Sequence, residues 1–418
     1  MKVLFVCADR YPKAGACTNL LNKLFFEGGL LETNEIHVAT YKYCLDDKSE
    51  EKYNGVAIHR FLSTRFIPQS ELLKRKPIRV WSLWKGTLNK IQRKLTSVLF
   101  KERELDLSRI KEYRKYLVQL CKENGYDIIV GVAGCYELAI AAKDVAIEKG
   151  IKYVLYQVDP FTDNAMYNTK YARLRYAVEK NLYSSAEKVF TTGLILSKMI
   201  ERTNGEKLSN VEIMEFPGVS VALRREKHVV EKRKNINCVF AGRVYAGIRN
   251  PTYTIELFRK LPPYVNLNLY GVSETELKKL FSISSIPNNV KCCGLVSVEE
   301  SENAIQNADV LVNIGNIMLN QVPSKLFNYI STGKPIVNIC ANHNCPSKEY
   351  LALYPYALSV DEDSSCDDLV ARNVLNFLTE NSGKVCDLNR IERLYEKCTP
   401  VYAAKQMQAA FECAYEVK

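Results

Sequence analysis

The sequence predicts an α/β protein built from two doubly wound parallel-sheet domains in tandem, and three observations predict it. At 418 residues the chain exceeds one ordinary core and suits two domains of roughly 200 residues each. Short, near-continuous apolar runs alternate with amphipathic helical stretches over almost the whole length. Runs of that kind are strands of a parallel sheet covered by helices on both faces. The alternation breaks once, over 216–237, where Pro217-Gly218 and the basic RREKHVVEKRK stretch read as an interdomain linker.

In the first half the strand-like runs are KVLFVCA (2–8), IHVAT (36–40), DIIVGVA (127–133), YVLYQVD (153–159) and KVFTT (188–192). The segment 137–149, rich in Ala and charged residues, is a crossover helix between two of them. In the second half the runs are NCVFAG (237–242), NLNLYG (266–271), NVKCCG (289–294), DVLVNI (309–314) and KPIVNI (334–339). TYTIELFRKL and VEESENAIQNA are the helices that separate them. The expected domains are 1–220 and 221–399, followed by an amphipathic helix over 400–418 whose return onto the first domain is left open. Tandem sheets of this kind place a ligand crevice at the carboxyl ends of their strands.

Composition narrows the class. The opening apolar run VLFVCA (3–8) is six residues long and followed at once by Asp9 and Arg10, so it reads as a first buried strand rather than a secretory signal. No stretch of about 18 apolar residues suggests a membrane span, and a cytoplasmic protein is expected. The 14 cysteines are scattered, several inside apolar runs (Cys7, Cys238, Cys292, Cys340), as buried free thiols are in a reducing compartment. Cys340, His343 and Cys345 have metal-like spacing but no partner cluster, and the simpler reading is a strand end and a loop. Asp361-Glu362-Asp363 has an Asp-x-Asp form, and its position before a helical stretch points to helix capping. No metal and no cofactor is expected. His37 and His59 read as sheet residues. The net charge of +11 is uneven: 72–101 carries nine Lys or Arg, no acid, and both tryptophans, Trp81 and Trp84. With its interleaved Leu, Ile and Val, that stretch suits either an interfacial helix on the anionic inner face of a membrane or a solvated insertion.

Three stretches in the second half, in one order, resemble glycosyltransferase family 4: FAGRVYAGIRNP (240–251), NVKCCGLVSVEESENAIQNADVLVNI (289–314) and VPSKLFNYISTGKPIV (322–337). The resemblance covers about 235–360; the first half matches by layout and by DRYPKAGACTN. It implies the GT-B fold, two Rossmann-like domains facing each other across a cleft. It also implies transfer of a sugar, with retention, from a nucleotide-diphosphate sugar to a saccharide or lipid-linked acceptor in surface polysaccharide synthesis. Nucleic acid is not an expected partner.

The resemblance assigns the diphosphate to Arg243 and Arg249 after the strand ending at Gly242, and to Ser324 and Lys325 in a first helical turn over Pro323 to Leu326. Chemistry agrees, because strand-end cations and orphan N–H groups at a helix start are what an anion needs. Base contacts fall on the Gly294-Leu295 turn. The family's two glutamates, eight residues apart, are here Asn320 and Asn328. An amide at 328 still hydrogen-bonds a ribose, but Asn320 cannot act as a carboxylate, which leaves open a non-catalytic binding subunit. A nucleotide-sugar epimerase on the same layout is a further alternative. In the first domain the loop at Gly15 and Ala16 is either a close-approach site or a plain turn. Asp159 and Glu137, each following a strand, are acceptor-binding or basic groups, or else helix caps.

Overall fold

The computed structural model describes every residue except 14, 63–104, 165–168, 204, 206–207, 222–234, 364–365 and 417–418. The chain divides into two compact units, Met1–Pro217 with Pro400–Lys418, and Gly218–Thr399. Elements are numbered among the described residues.

The first unit holds an eight-stranded sheet of order β3-β4-β2-β1-β5-β6-β7-β8. Its strands are β1 (Lys2–Val6), β2 (Glu35–Tyr41), β3 (Glu50–Tyr53), β4 (Val56–Phe61), β5 (Ile128–Val132), β6 (Lys152–Tyr156), β7 (Lys188–Thr191) and β8 (Val211–Ile213). All pairings are parallel except β3 with β4. The helices are α1 (Ala16–Asn22), continued by a π turn at Lys23–Glu27, α2 (Leu30–Thr33), α3 (Leu107–Glu123), α4 (Tyr136–Lys149), α5 (Ala172–Ser184) and α6 (Gly193–Arg202).

Strand periodicity distributes β1 between two cores. Leu4 and Val6 pack under α3 and α4, whereas Val3 and Phe5 pack on the opposite face with α1 and the π turn. That second core is completed by a helix from the far end of the chain, Pro400–Glu416, whose Ala403, Ala404, Met407 and Phe411 are buried in it. Phe5 meets Phe25 and Phe411 edge to face, at 4.8 and 6.5 Å between centroids. Gly28 is required where this helix arrives. A β-carbon there would lie 2.6 Å from the Pro400 carbonyl oxygen and 2.7 Å from the Ala404 methyl.

The second unit holds a six-stranded, all-parallel sheet of order β11-β10-β9-β12-β13-β14. Its strands are β9 (Ile236–Ala241), β10 (Val265–Tyr270), β11 (Val290–Gly294), β12 (Val310–Ile314), β13 (Ile336–Cys340) and β14 (Ala357–Asp361). The crossovers carry α7 (Thr252–Arg259), α8 (Glu274–Phe281), α9 (Val298–Gln306), α10 (Lys325–Ile330) and α11 (Ser347–Leu351). Then follow α12 (Asp368–Asn381) and α13 (Leu388–Leu394); the returning helix is α14. Local chemistry starts these helices: Ser273 and Glu276 form a reciprocal capping box on α8, and Ser297 caps α9. No helix among the described residues is long and apolar enough to cross a membrane.

Candidate functional site

In the second sheet the strand order reverses at β9, so β9 and β12 leave their carboxyl ends side by side with their crossovers running to opposite sides. Such a switch point opens a crevice that α/β proteins use for ligands. Here it is filled by arginine. After Gly242 the chain turns back on itself, Tyr245 and Arg249 exchanging backbone hydrogen bonds at 3.2 and 3.0 Å around Gly247. This hairpin aims Arg249 across to the loop after β12. Its Nε and Nη2 donate to Asn316 Oδ1 at 3.1 and 2.8 Å, and its Nη1 donates to the Arg243 carbonyl at 3.0 Å. Ile317 N also donates to the Ile248 carbonyl at 2.8 Å, joining the two loops. Burial lowers the Arg249 pKa from its ordinary value, but a guanidinium stays charged. The Arg243 side chain is exposed. Gly242 and Gly271 allow this crowding. A β-carbon on Gly271, which has φ +97°, would stand 2.4 Å from the Gly242 carbonyl oxygen.

Helix α10 is docked on the same strand end, the Tyr329 hydroxyl accepting from Ala241 N at 2.8 Å. Its start differs from the expected turn over Pro323 to Leu326. The helix begins at Lys325, Ser324 is its N-cap and makes no side-chain capping bond, and Leu326 is fully buried core that a ligand cannot reach. Lys325, four residues before Tyr329 and so on the same face, already has an anion: its Nζ lies 3.3 Å from Glu302 on α9. The position of a cation at this helix start therefore has a protein partner as its explanation. Asn320 is buried, with its amide nitrogen lacking a hydrogen-bond partner among the described residues, and Asn328 is half-buried on α10. Gly294 closes β11 at φ +71°, and Leu295 beside it is 72% exposed.

The first unit treats its predicted residues differently. Gly15, at φ +133°, does leave room for a close approach, but the group that approaches is Asp9, whose Oδ2 would sit 2.0 Å from a β-carbon there. That carboxylate accepts from Thr18 N at 2.8 Å, so the start of α1, at exposed Ala16, is capped by the chain itself. Burial raises the Asp9 pKa, against the Thr18 and Cys17 N–H groups that lower it. Glu137 is in the first turn of α4, tied to Asp106 N at 3.4 Å and to Arg109 at 3.8 Å, the environment of a structural carboxylate. Asp159 lies beyond β6 and caps no described helix. Its carbonyl accepts from the Tyr136 hydroxyl at 2.9 Å, and Gln157 and buried Glu179 hold its loop from behind.

Two other motifs resolve simply. Asp361 accepts from Lys348 and His343 instead of capping, Glu362 is pushed by burial to about 7, and Asp367 is the cap of α12. His343 is exposed beside Asp361, while Cys340 and Cys345 are buried; among the described residues no cluster could hold a metal. The basic stretch 72–101 lies outside the described residues. Sequence reasoning missed Asn316 and Tyr329, which hold the switch point of the second unit, and Asp9, which fills the gap at Gly15 in the first.

Two sheets of this kind, the second with Arg243 and Arg249 at its switch point, define a doubly wound α/β architecture with a crevice at the strand ends. No family model and no curated protein matches the chain. Among solved structures, it is similar to sucrose-phosphate synthase from Thermosynechococcus elongatus at TM-score 0.69 and 12% identity, with 100% of both chains covered. HepE of Anabaena in complex with UDP and glucose gives 0.62 and 13%, covering 99% of this chain and 100% of that one. A UDP-N-acetylglucosamine 2-epimerase, so named provisionally, from Listeria monocytogenes gives 0.53 and 12%, covering 100% and 97%. The chain has the GT-B fold.

Proposed function

We propose that this chain is a glycosyltransferase that moves a sugar from a nucleotide-diphosphate donor to a saccharide or lipid-linked acceptor, with retention, in surface polysaccharide or glycolipid synthesis. The observation that carries the reading is Arg249, held rigidly across the β9–β12 switch point beside exposed Arg243. As the bond between the anomeric carbon and the diphosphate breaks, charge accumulates on the leaving phosphate. Fixed cations at that point favour the transition state more than the ground state. Lys325 adds charge once a ligand competes with Glu302, Asn328 serves the ribose, and the unpartnered Asn320 amide offers a donor to the sugar. The Gly294-Leu295 turn serves the base. The acceptor's hydroxyl oxygen forms the new bond on the face from which the phosphate departs, its proton going to the departing phosphate oxygen, and Asp159 in the first unit is the candidate for binding the acceptor hydroxyl. In this reading the first unit and the 72–101 stretch serve an acceptor at the inner face of the cell membrane.

Fold likeness to HepE, whose structure holds UDP and glucose, supports a nucleotide-sugar donor, and likeness to an epimerase keeps that chemistry as the comparison. Incubation with a panel of nucleotide sugars separates the readings. Transfer or slow hydrolysis releases nucleotide diphosphate, epimerisation yields a new sugar, and a binding subunit yields neither. Activity is expected to persist in EDTA; loss restored by magnesium or manganese would refute metal independence.

A further inference from the structure

We propose that the first unit carries its own binding pocket for a carboxylate- or phosphate-bearing saccharide, at the carboxyl ends of β1, β2 and β4. Naming that saccharide the acceptor rests on the transferase reading; the pocket itself does not. A cavity of about 170 Å³ opens there, lined by Arg10, Lys13, Asp47, Lys48, Glu51 and Arg60 among others. Its size admits one charged group or a single ring rather than a chain. Arg10, Tyr11 and Lys13 come from the DRYPKAGACTN stretch that leads into the Gly15 loop, whereas Asp47, Lys48, Glu51 and Arg60 fall in no motif.

The argument is one of leftover charge. The floor is a finished ion-pair framework. Buried Arg60 pairs with Glu51 at 2.7 Å and donates to the carbonyls of Tyr11 and Lys48 at 2.8 and 3.2 Å. Asp47 is consumed similarly, accepting from Tyr43 N and Cys44 N at 3.0 and 2.9 Å and facing Arg10 at 3.6 Å. Burial, which would raise its carboxyl, is outweighed by those N–H groups and by Arg10 and Arg60, so Asp47 stays ionised. Glu51 and Asp47 are thereby neutralised by the two arginines. Lys13 and Lys48 remain on the rim, both exposed and with no ion pair among the described residues, and Arg10 Nε is buried without a partner. Asp46 is the remaining lining acid. Four cations face three acids, so the surplus is positive, and Lys13, Lys48 and Arg10 Nε offer the donors for a ligand. A neutral sugar would leave them unmatched, whereas an anionic group on a sugar ring meets them and leaves the ring hydroxyls to the carboxylates.

The test uses the full-length protein at low ionic strength, titrated calorimetrically with glucose, glucuronate, glucose 6-phosphate and inorganic phosphate, and separately with UDP, GDP and ADP. At least one charged sugar is expected to bind roughly tenfold or more tightly than glucose. Preference for glucuronate identifies a carboxylate ligand and preference for glucose 6-phosphate a phosphate ligand. The double variant Lys13→Ala/Lys48→Ala, altering only exposed side chains, should bring charged-sugar affinity down to that of glucose and leave UDP affinity within about twofold. Lys291→Ala, an exposed lysine of the second unit, should change neither. Equal binding of glucose and its charged analogues overturns the proposal. So does inorganic phosphate binding as tightly as the sugar phosphate, or charged-sugar binding that survives the double variant. Charged-sugar binding with no binding of UDP, GDP or ADP would sink the transferase reading and leave the pocket standing.

Discussion

Replacing Arg249 by alanine separates the structural from the ligand-binding part of the switch point. The side chain makes three N–H···O contacts of 2.8 to 3.1 Å. Two converge on one oxygen of Asn316, which is 5% exposed and loses both donors when the guanidinium goes. Hydrogen bonds to a charged group contribute about 1.5–3 kcal/mol each. Because two share an acceptor, the total loss is nearer ~2–4 kcal/mol than the sum. For a domain of 150–250 residues each kcal/mol moves Tm by about 2–4 °C, so calorimetry should show the second unit melting roughly 5–15 °C lower. In the same samples, below the transition, UDP affinity should fall by roughly ten- to a hundredfold through the lost cation. Arg249→Lys returns the charge but not the fork. It should recover affinity in part while Tm stays low. An unchanged Tm would mean the guanidinium is not locked on Asn316. A lowered Tm with wild-type UDP affinity would mean the diphosphate binds elsewhere, and the donor assignment would have to be withdrawn.

Lys325→Ala removes a partly exposed ion pair and so should cost under about 1 kcal/mol of stability while lowering transfer roughly ten- to a thousandfold; equal rates for variant and wild type, with circular dichroism unchanged, would exclude Lys325 from the site. Phe411→Ala empties a fully buried place against Phe5 and should destabilise the first unit by about 3–5 kcal/mol; a denaturation midpoint within error of wild type would contradict the described core. The stacked pair His37 and His59, linked at 2.9 Å and flanked by Glu35, Glu50 and Tyr126, sets a pH dependence. Burial lowers both pKa values, and His37 further lowers His59, so the unfolded chain takes up protons first. Stability is then full above the ordinary value of about 6.5 and is lost as pH falls from there through the folded values. Thermal melts from pH 7.5 to 5 should show that slope in wild type and a shallower one in His37→Gln/His59→Gln, and identical slopes would refute it.

Strands buried on both faces were legible because their signal is local. β1, β5, β12 and β13 are almost wholly buried and read as unbroken apolar runs. β3 and β4 escaped for opposite reasons. EEKY is an exposed antiparallel edge whose strand character comes only from pairing, and VAIHRF buries His59 and Arg60, polarity that is tolerable because Glu51 and the Tyr11 carbonyl meet the guanidinium. The site was half legible. Arg243, Arg249 and Lys325 announce themselves by lying at strand and helix ends. What holds or competes with them is distant in the chain: Asn316 lies 67 residues from Arg249, and Glu302 lies 23 from Lys325. Asp9 was invisible for another reason, since only the backbone at Gly15 reveals that a side chain, not a ligand, occupies the gap.

The return of α14 to the first unit has a consequence for synthesis. Val3, Phe5 and Phe25 await Met407 and Phe411, and all of Gly218–Thr399 must leave the ribosome in between. At 5–20 residues per second that interval is roughly 10–40 s. Throughout it the nascent first unit exposes the part of that apolar sheet face which α1 and the π turn leave for α14, the kind of surface a ribosome-associated chaperone shields. Fusing residues 400–416 ahead of Met1, with the original copy deleted, should shorten that exposure and reduce aggregation during expression without altering the finished fold.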